Sequence, residues 1–289
     1  MKARVQATLK KGLIVGLAWC ARNSIGDDSI VSRIRWTDER RRLDIGPVLV
    51  GVSLACGSVG VSAGPPFQTD DPEPVGLHHY EFYVATQQTL TSGGRSGTLP
   101  HFEFNYGALP EMQLHVIAPV AFNDPAGGTR QRGYGDTELG IKYRFVQESD
   151  STPMVGTFPI YLAPTGNQDR GLGDGSYQLF LPVWLQKSWD KWTTYGGGGY
   201  WINHASDTKN NWFFGWLVQR EFSDQWTLGA ELFHRTEQLT GQGASSGFNI
   251  GGSFNPSEHH HILFSLGKGL QNATGTNKFS SYLGYQLTY

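Results

Sequence analysis

The fold class is decided by residues 138–145, which read Glu138-Leu139-Gly140-Ile141-Lys142-Tyr143-Arg144-Phe145. Every second residue of this stretch is apolar, and the residues between are charged or glycine. Successive side chains of a β-strand point to opposite faces, so a period of two predicts a strand with one apolar and one polar face. In a soluble sandwich the polar face would meet water, whereas in a membrane β-barrel the apolar face meets lipid and the polar face lines the lumen.

Similar alternation recurs along most of the chain after Gly64, in segments of about ten residues separated by turn residues. Counting these segments predicts twelve antiparallel strands, at residues 77–91, 97–107, 111–121, 134–147, 153–163, 174–188, 191–204, 209–222, 225–236, 245–255, 258–270 and 276–289. An even number of such strands is typical of a transmembrane antiparallel β-barrel, so we predict an all-β fold of that class. A soluble sandwich or jelly roll is the alternative that this alternation leaves open.

The predicted connections alternate between short and long. Outer-membrane barrels have short periplasmic turns and longer outer loops, so we expect both ends of the barrel chain in the periplasm. The short connections lie at residues 109–110, 148–152, 190, 223–224 and 256–257, and long ones lie at 123–133, 164–173 and 237–244. Aromatic residues, which favour headgroup depth, flank two of the short turns: Trp189, Trp192, Phe222 and Trp226.

Residues 1–63 differ from the rest of the chain and read as a targeting segment. Three arginines at 40–42 precede the apolar run 45–61, and Ala63 completes the small-residue pattern that a signal peptidase accepts. We therefore predict an N-terminal extension and cleaved signal peptide at 1–63, a periplasmic segment at 64–76 and an outer-membrane barrel at 77–289. The long stretch before the arginines suggests a mis-assigned translation start. A shorter signal core at 12–20 and a small folded domain are the alternatives.

Composition excludes several classes of protein. No stretch supplies the ~20 apolar residues that a membrane-spanning helix requires. From Gly64 onward the chain has 13 Lys and Arg against 20 Asp and Glu, and this acidic balance argues against nucleic-acid binding. Both cysteines, Cys20 and Cys56, fall in the predicted leader, so the barrel needs no disulfide and no thiolate metal ligand. Cys56 leaves lipidation as an alternative, but Ser53 stands where a lipoprotein signal usually has leucine, and this argues against it.

The sequence ends with a pattern that suits a final barrel strand. Its last residues are Gly284-Tyr285-Gln286-Leu287-Thr288-Tyr289. A strand with Gly284, the apolar Leu287 and the terminal aromatic Tyr289 resembles the signal that the outer-membrane barrel assembly machinery recognises. We therefore predict this machinery and the outer-membrane lipids as partners.

Chemical motifs are scarce. The sequence has no nucleotide-binding loop, zinc-ligand spacing or nucleophile elbow, so we predict no cofactor, no metal and no catalytic residue. Alternation points neighbours in the run 259–261, three histidines, to opposite faces, which disfavours a metal site. His204 and Ser206 have the His-x-Ser spacing that resembles lipid A deacylases of the outer membrane. A lipid hydrolase is therefore an alternative function, although no residue can be assigned to orient His204.

Five charged or titratable side chains are predicted to face the lumen at similar depth. Because isolated charges inside a membrane protein are costly, we expect them to pair as a belt of opposite charges. The belt would brace the wall, or it would also constrict the pore and set its ion selectivity. The predicted members are Glu81, Glu103, His115, Lys142 and Arg144.

Three stretches resemble a known family. They are Pro65-Pro66-Phe67-Gln68-Thr69-Asp70-Asp71-Pro72, Gly135-Asp136-Thr137-Glu138-Leu139-Gly140-Ile141-Lys142-Tyr143 and Leu162-Ala163-Pro164-Thr165-Gly166. They are similar to the outer-membrane proteins described as "putative meta-pathway of phenol degradation", and the resemblance spans most of the chain after Gly64. It implies a barrel that passes aromatic or other hydrophobic compounds across the outer membrane, and it carries over no catalytic residues.

These patterns together predict a twelve-stranded barrel in the outer membrane of a Gram-negative bacterium, acting as a passive channel for small molecules. Barrels of eight strands are filled by side chains and those of sixteen enclose water, so strand number leaves open whether the lumen conducts. A structural or adhesive surface barrel, whose loops bind a partner, is the third alternative.

Overall fold

A computed structural model describes residues 65–289, and the predicted leader lies outside these described residues. Among the described residues, no helix is long and apolar enough to cross a bilayer. A 3₁₀ turn at Gln168–Arg170 and a short helix, α1 (Ala273–Thr276), lie in loops. The strand segments are β1 (Tyr80–Thr91), β2 (Gly94–Leu109), β3 (Met112–Pro125), β4 (Gln131–Tyr134), β5 (Thr137–Val146), β6 (Met154–Thr157), β7 (Ile160–Ala163), β8 (Gln178–Trp189), β9 (Trp192–Asn203), β10 (Asn211–Ser223), β11 (Trp226–Arg235), β12 (Ser245–Phe254), β13 (His260–Gln271) and β14 (Phe279–Thr288).

These segments form one antiparallel sheet that closes on itself, because β1 pairs with both β2 and β14. β4 and β5 both pair with β3, at different heights, and β6 and β7 both lie between β5 and β8. Each of these pairs of segments therefore makes up one wall strand, and the predicted twelve-stranded barrel is confirmed. Closure pairs the first and last wall strands with each other, which is the condition for placing a sheet in lipid; among the described residues, the short segment β4 pairs on one side only.

The predicted strand at 153–163 is interrupted between β6 and β7. Pro159 has no N–H to donate to a ladder, and its carbonyl instead accepts a bond from the Ile141 backbone N–H at 3.1 Å. The preceding residue, Phe158, is buried inside the barrel. The inner face that carries Met154 and Gly156 thus continues to Phe158, which gives the lumen an aromatic side chain at the point where the ladder breaks.

Side chains alternate between the two faces of the wall as the sequence predicts. On β5 the apolar residues Leu139, Ile141, Tyr143 and Phe145 are 45–50% exposed on the outer face, while Lys142 is 3% exposed inside. Strand β10 shows the same pattern, with large apolar residues outside and buried residues inside. An outer surface of this kind suits contact with lipid rather than water.

Both ends of the barrel chain meet at the end of the wall that carries the short turns. The backbone N–H of Tyr80 donates to the carbonyl of Tyr289 at 2.6 Å, and the N–H of Tyr289 donates to the carbonyl of Tyr80 at 2.9 Å. Two-residue turns at 110–111, 190–191 and 224–225 lie at this end, and the opposite end carries the longest loop, 164–177. Apart from the two-residue turn at 92–93, which lies at the opposite end, these lengths match the predicted asymmetry.

Residues 65–76, here the lumenal segment, run inside the barrel. Ser265 on β13 donates its Oγ–H to the Pro66 carbonyl at 2.6 Å, and Gln113 on β3 accepts the Val75 N–H at 2.9 Å. The sequence placed residues 64–76 in the periplasm, and for residues 66–75 this prediction needs correction. The segment has no hydrophobic period, so the sequence pattern did not indicate that it occupies the lumen.

Candidate functional site

One anchor of the lumenal segment is Glu231, a β11 side chain that is 1% exposed. Its carboxylate accepts the backbone N–H groups of Gln68 at 2.9 Å and Thr69 at 2.8 Å. Asn249 on β12 donates its side-chain N–H to the same carboxylate at 2.5 Å. Hydrogen bonds to an ionised acceptor are stronger than neutral ones, so a buried carboxylate with three donors holds the segment firmly.

A second anchor is Lys142, which β5 directs into the lumen. Its Nζ lies 2.9 Å from Oδ1 of Asp70 and 3.4 Å from Oδ2 of Asp71. The ammonium also lies 5.1 Å from the centre of the Phe158 ring, within the range of a cation–π contact. Because Asp71 is completely buried, its charge depends on this ammonium for compensation.

Arg144 lies nearer the short-turn end and takes different partners. Its guanidinium hydrogen-bonds Glu111, in the turn between β2 and β3, and lies 3.9 Å from Glu73 of the lumenal segment. The hydrogen bond from Arg144 holds the pKa of Glu111 below its usual value. Arg144 therefore links the segment to a turn.

The remaining belt residues form a hydrogen-bonded network on β1 to β3. Glu81 accepts the Tyr83 hydroxyl at 2.6 Å, and Glu103 accepts the Asn105 amide at 2.9 Å. His115 Nδ1 lies 2.6 Å from the Asn105 side-chain oxygen and 3.6 Å from a Glu103 oxygen. The structure thus brings Glu81, Glu103 and His115 together.

The belt differs from its predicted form in the partners of its two cations. Lys142 forms its ion pairs with Asp70 and Asp71, and Arg144 is ion-paired with Glu111 and Glu73. Sequence reasoning missed these partners because it treated the segment before the first strand as lying outside the barrel. The three acidic residues between positions 70 and 73 were the available signal, since they offer the charge that inward cations need.

Apolar residues also hold the segment. Phe67 packs against Tyr195 on β9 and Leu217 on β10, both buried inside the wall. Thr69 lies directly over Gly215, where an added Cβ would come within 2.1 Å of the Thr69 hydroxyl oxygen. Leu217 breaks the strict alternation of strand β10, and this irregularity is the sequence signal of an inward apolar contact.

An aromatic cavity lies beside the lumenal segment. Its volume is about 110 Å³, and Gln68 and Asp70 line one side of it. Gly199 on β9 leaves room for the Phe180 ring that lines the cavity, because a Cβ at this position would lie 2.5 Å from that ring. The main residues that line the cavity are Phe158, Phe180, Trp184, Trp201, Phe213 and Arg235. No motif in the sequence indicates this cavity.

The histidines singled out in the sequence have separate surroundings. His204 lies in the exposed loop after β9, where its Nε2 is 3.1 Å from the Tyr177 hydroxyl. In the described part of the chain, no hydrogen bond joins His204 to Ser206. The three histidines at 259–261 contact different groups: the Thr288 carbonyl, the Tyr285 hydroxyl and the Asn255 side chain.

Comparisons with known proteins agree with this architecture. The family model described as "Putative MetA-pathway of phenol degradation" matches residues 75–286. The crystal structure of an outer membrane channel from Pseudomonas putida F1 is 15% identical, covers 76% of this chain and 98% of its own, and has a TM-score of 0.63. The NanC porin is 7% identical, with coverage of 72% and 98% and a TM-score of 0.51. At these identities the likeness shows the fold, and no curated relative matches the sequence.

Proposed function

The chain belongs to the family described as "Putative MetA-pathway of phenol degradation", and on this premise we propose that it is a passive channel for small molecules. The proposed location is the outer membrane of a Gram-negative bacterium, with the short turns and both ends of the barrel chain on the periplasmic side. The proposal includes no catalytic step. The aromatic cavity favours small aromatic or other hydrophobic molecules as the cargo.

The observation that carries this proposal is the way in which the lumen is filled. The wall is closed, and its interior is occupied by a segment whose hydrogen bonds to the wall, over residues 65–75, run to or from side chains. Strand pairing of this stretch with the wall begins only at Leu77, which bridges to Gly107. A segment held by side chains can leave while the barrel stays closed, so it acts as a removable constriction.

Planar-bilayer recording on the purified barrel tests the channel. We expect small conductance steps from the native protein, since the lumenal segment narrows the path, and larger steps from a variant that lacks residues 65–75. Protein unfolded by heat before addition to the bilayer serves as the control. If both the native barrel and the shortened variant are electrically silent, the channel proposal fails.

Assembly through the chain terminus is a further part of the proposal. Tyr289 stacks its ring on Tyr80 at 5.7 Å between ring centres, at the junction where β14 meets β1. We expect Tyr289→Ala to lower the amount of folded barrel in outer membranes severalfold, while Tyr289→Phe keeps it near the native level. Equal amounts of heat-modifiable barrel in all three strains would show that the assembly machinery does not recognise the terminal aromatic residue.

A further inference from the structure

Arg235 is the inward-facing last residue of β11 and lines the aromatic cavity. Its guanidinium carbon lies 5.3 Å from the centre of the Phe213 ring and 5.8 Å from the centre of the Trp201 ring. Two ring faces therefore hold the cation at one side of an empty space. Ring faces attract a cation but leave its hydrogen-bond donors free.

The carboxylates that line the same cavity already have cationic or titratable partners. Glu138 lies 3.0 Å from Nε2 of His115, and Asp70 lies 2.9 Å from Nζ of Lys142. Across residues 65–289, no carboxylate lies within ion-pairing distance of Arg235. A cation enclosed in a protein is normally compensated by an anion, and the guanidinium of Arg235 lacks such a partner in this part of the chain.

The shape of the cavity restricts which anion fits. Aromatic side chains form most of its wall, and a wall of this kind gains most from a flat apolar ring. The planar guanidinium fork matches a carboxylate through two parallel hydrogen bonds.

We propose that the aromatic cavity binds a small aromatic carboxylate, with its ring against the aromatic wall and its carboxylate on the guanidinium of Arg235. This inference deepens the proposed channel function and rests on it, because it names the class of molecule that the lumen would pass. A neutral aromatic compound would fill the cavity and leave the cation uncompensated. An inorganic anion would compensate the cation and leave the apolar wall uncovered.

Isothermal titration of the purified full barrel in detergent, with benzoate and with neutral benzamide, tests the inference. The two compounds have nearly the same shape and differ in charge. We expect benzoate to bind at least tenfold more tightly, and we expect Arg235→Gln to abolish this preference. Arg235→Lys keeps the charge without the fork and should retain part of the preference.

Arg220 supplies a matched control. It lies on β10 with its side chain exposed on the outer face, 5.2 Å from the Trp192 ring centre and 5.4 Å from that of Phe222. Arg220→Gln removes an arginine held by two rings outside the cavity, so the benzoate preference should remain. Loss of the preference in this control as well would overturn the assignment to Arg235.

Other outcomes are also decisive. Equal binding of benzoate and benzamide to the native barrel overturns the inference, and so does a preference that persists in Arg235→Gln. If Arg235→Gln fails to fold, the native comparison and Arg235→Lys decide. Titration in detergent needs no conduction, so a conducting barrel without the preference refutes the cargo class alone. A barrel that binds benzoate but is silent in bilayers refutes the channel alone.

Discussion

Replacing Lys142 with glutamine is expected to release the lumenal segment and raise single-channel conductance severalfold. The change leaves Asp70 and Asp71 adjacent without the ammonium that now lies 2.9 and 3.4 Å from them. Removing one partner of a buried ion pair costs about 3–5 kcal/mol, which shifts the ratio of docked to undocked segment by roughly a hundredfold or more. Planar-bilayer recording of native and variant protein measures the effect.

Lys187→Gln is the matched control for this experiment. Lys187 lies 3.1 Å from Glu148 in a partly exposed pair at the short-turn end, and exposed pairs contribute at most about 1 kcal/mol. Its conductance should equal that of the native barrel. If Lys142→Gln lowers the heat stability of the folded barrel but leaves conductance unchanged, Lys142 braces the wall and does not hold a constriction.

Replacing both inward cations, Lys142 and Arg144, with glutamine tests the ion selectivity of the channel. In the predicted belt, Lys142 and Arg144 pair with Glu81 and Glu103, so replacing both cations by glutamine would favour the passage of cations. In the structure the lost partners are carboxylates of the lumenal segment and of a turn instead. The expected direction is unchanged, since removal of inward positive charge leaves the carboxylates of the network in the lumen. Reversal potentials in a salt gradient measure it.

Substitution of Gly215 by valine is expected to expel the lumenal segment by steric conflict. A Cβ at this position would lie 2.1 Å from the Thr69 hydroxyl oxygen and 3.1 Å from the Thr69 Cβ. Thr69 is 1% exposed and has no space into which to turn. We expect conductance to rise to the level of the variant that lacks residues 65–75, with the barrel still resistant to unfolding in detergent.

A second substitution distinguishes expulsion from general damage to the wall. The Thr69 hydroxyl has no hydrogen-bond partner among the described residues, so Thr69→Gly removes the clash without removing a hydrogen bond. Adding Thr69→Gly to Gly215→Val should restore low conductance, as a double-mutant cycle would report. Gly93→Val, whose Cβ would meet nothing closer than 3.5 Å, should behave like the native protein. Failure of the rescue would contradict the steric explanation.

Much of the wall could be predicted from the sequence, because a period of two gives both the strand and the face of each side chain. The division of two wall strands could not. β6 ends before Phe158, which lies inside the barrel, and Pro159. The alternation of the sequence continues across both residues, so it gives no sign that the strand is divided there. The number of strands can be predicted because many residues contribute to each strand's pattern. An interruption depends on a single residue, and the pattern does not reveal it.

Of the candidate site, only the residues that belong to the barrel wall could be predicted from the sequence. Glu103, His115 and Lys142 lie inside at the positions that parity indicates, and their depth follows from strand register. Their partners depend on residues 65–75, which have no period and whose position is fixed by contacts with the finished barrel. The aromatic cavity escaped detection for a related reason, since inward aromatic residues such as Phe213 look like imperfections of alternation.

The lumenal segment also orders events during folding. Its hydrogen bond to Ser265 joins residues 199 positions apart, and its bond to Glu231 joins residues 163 apart. Contacts across such long stretches of chain are entropically costly and slow to form, so docking of residues 66–69 must wait until β11 and β13 stand in the wall. Until then the growing barrel encloses an unfilled interior. Completion of folding and closing of the leak across the membrane are thus one event, and a chain that stalls before β11 would injure the permeability barrier.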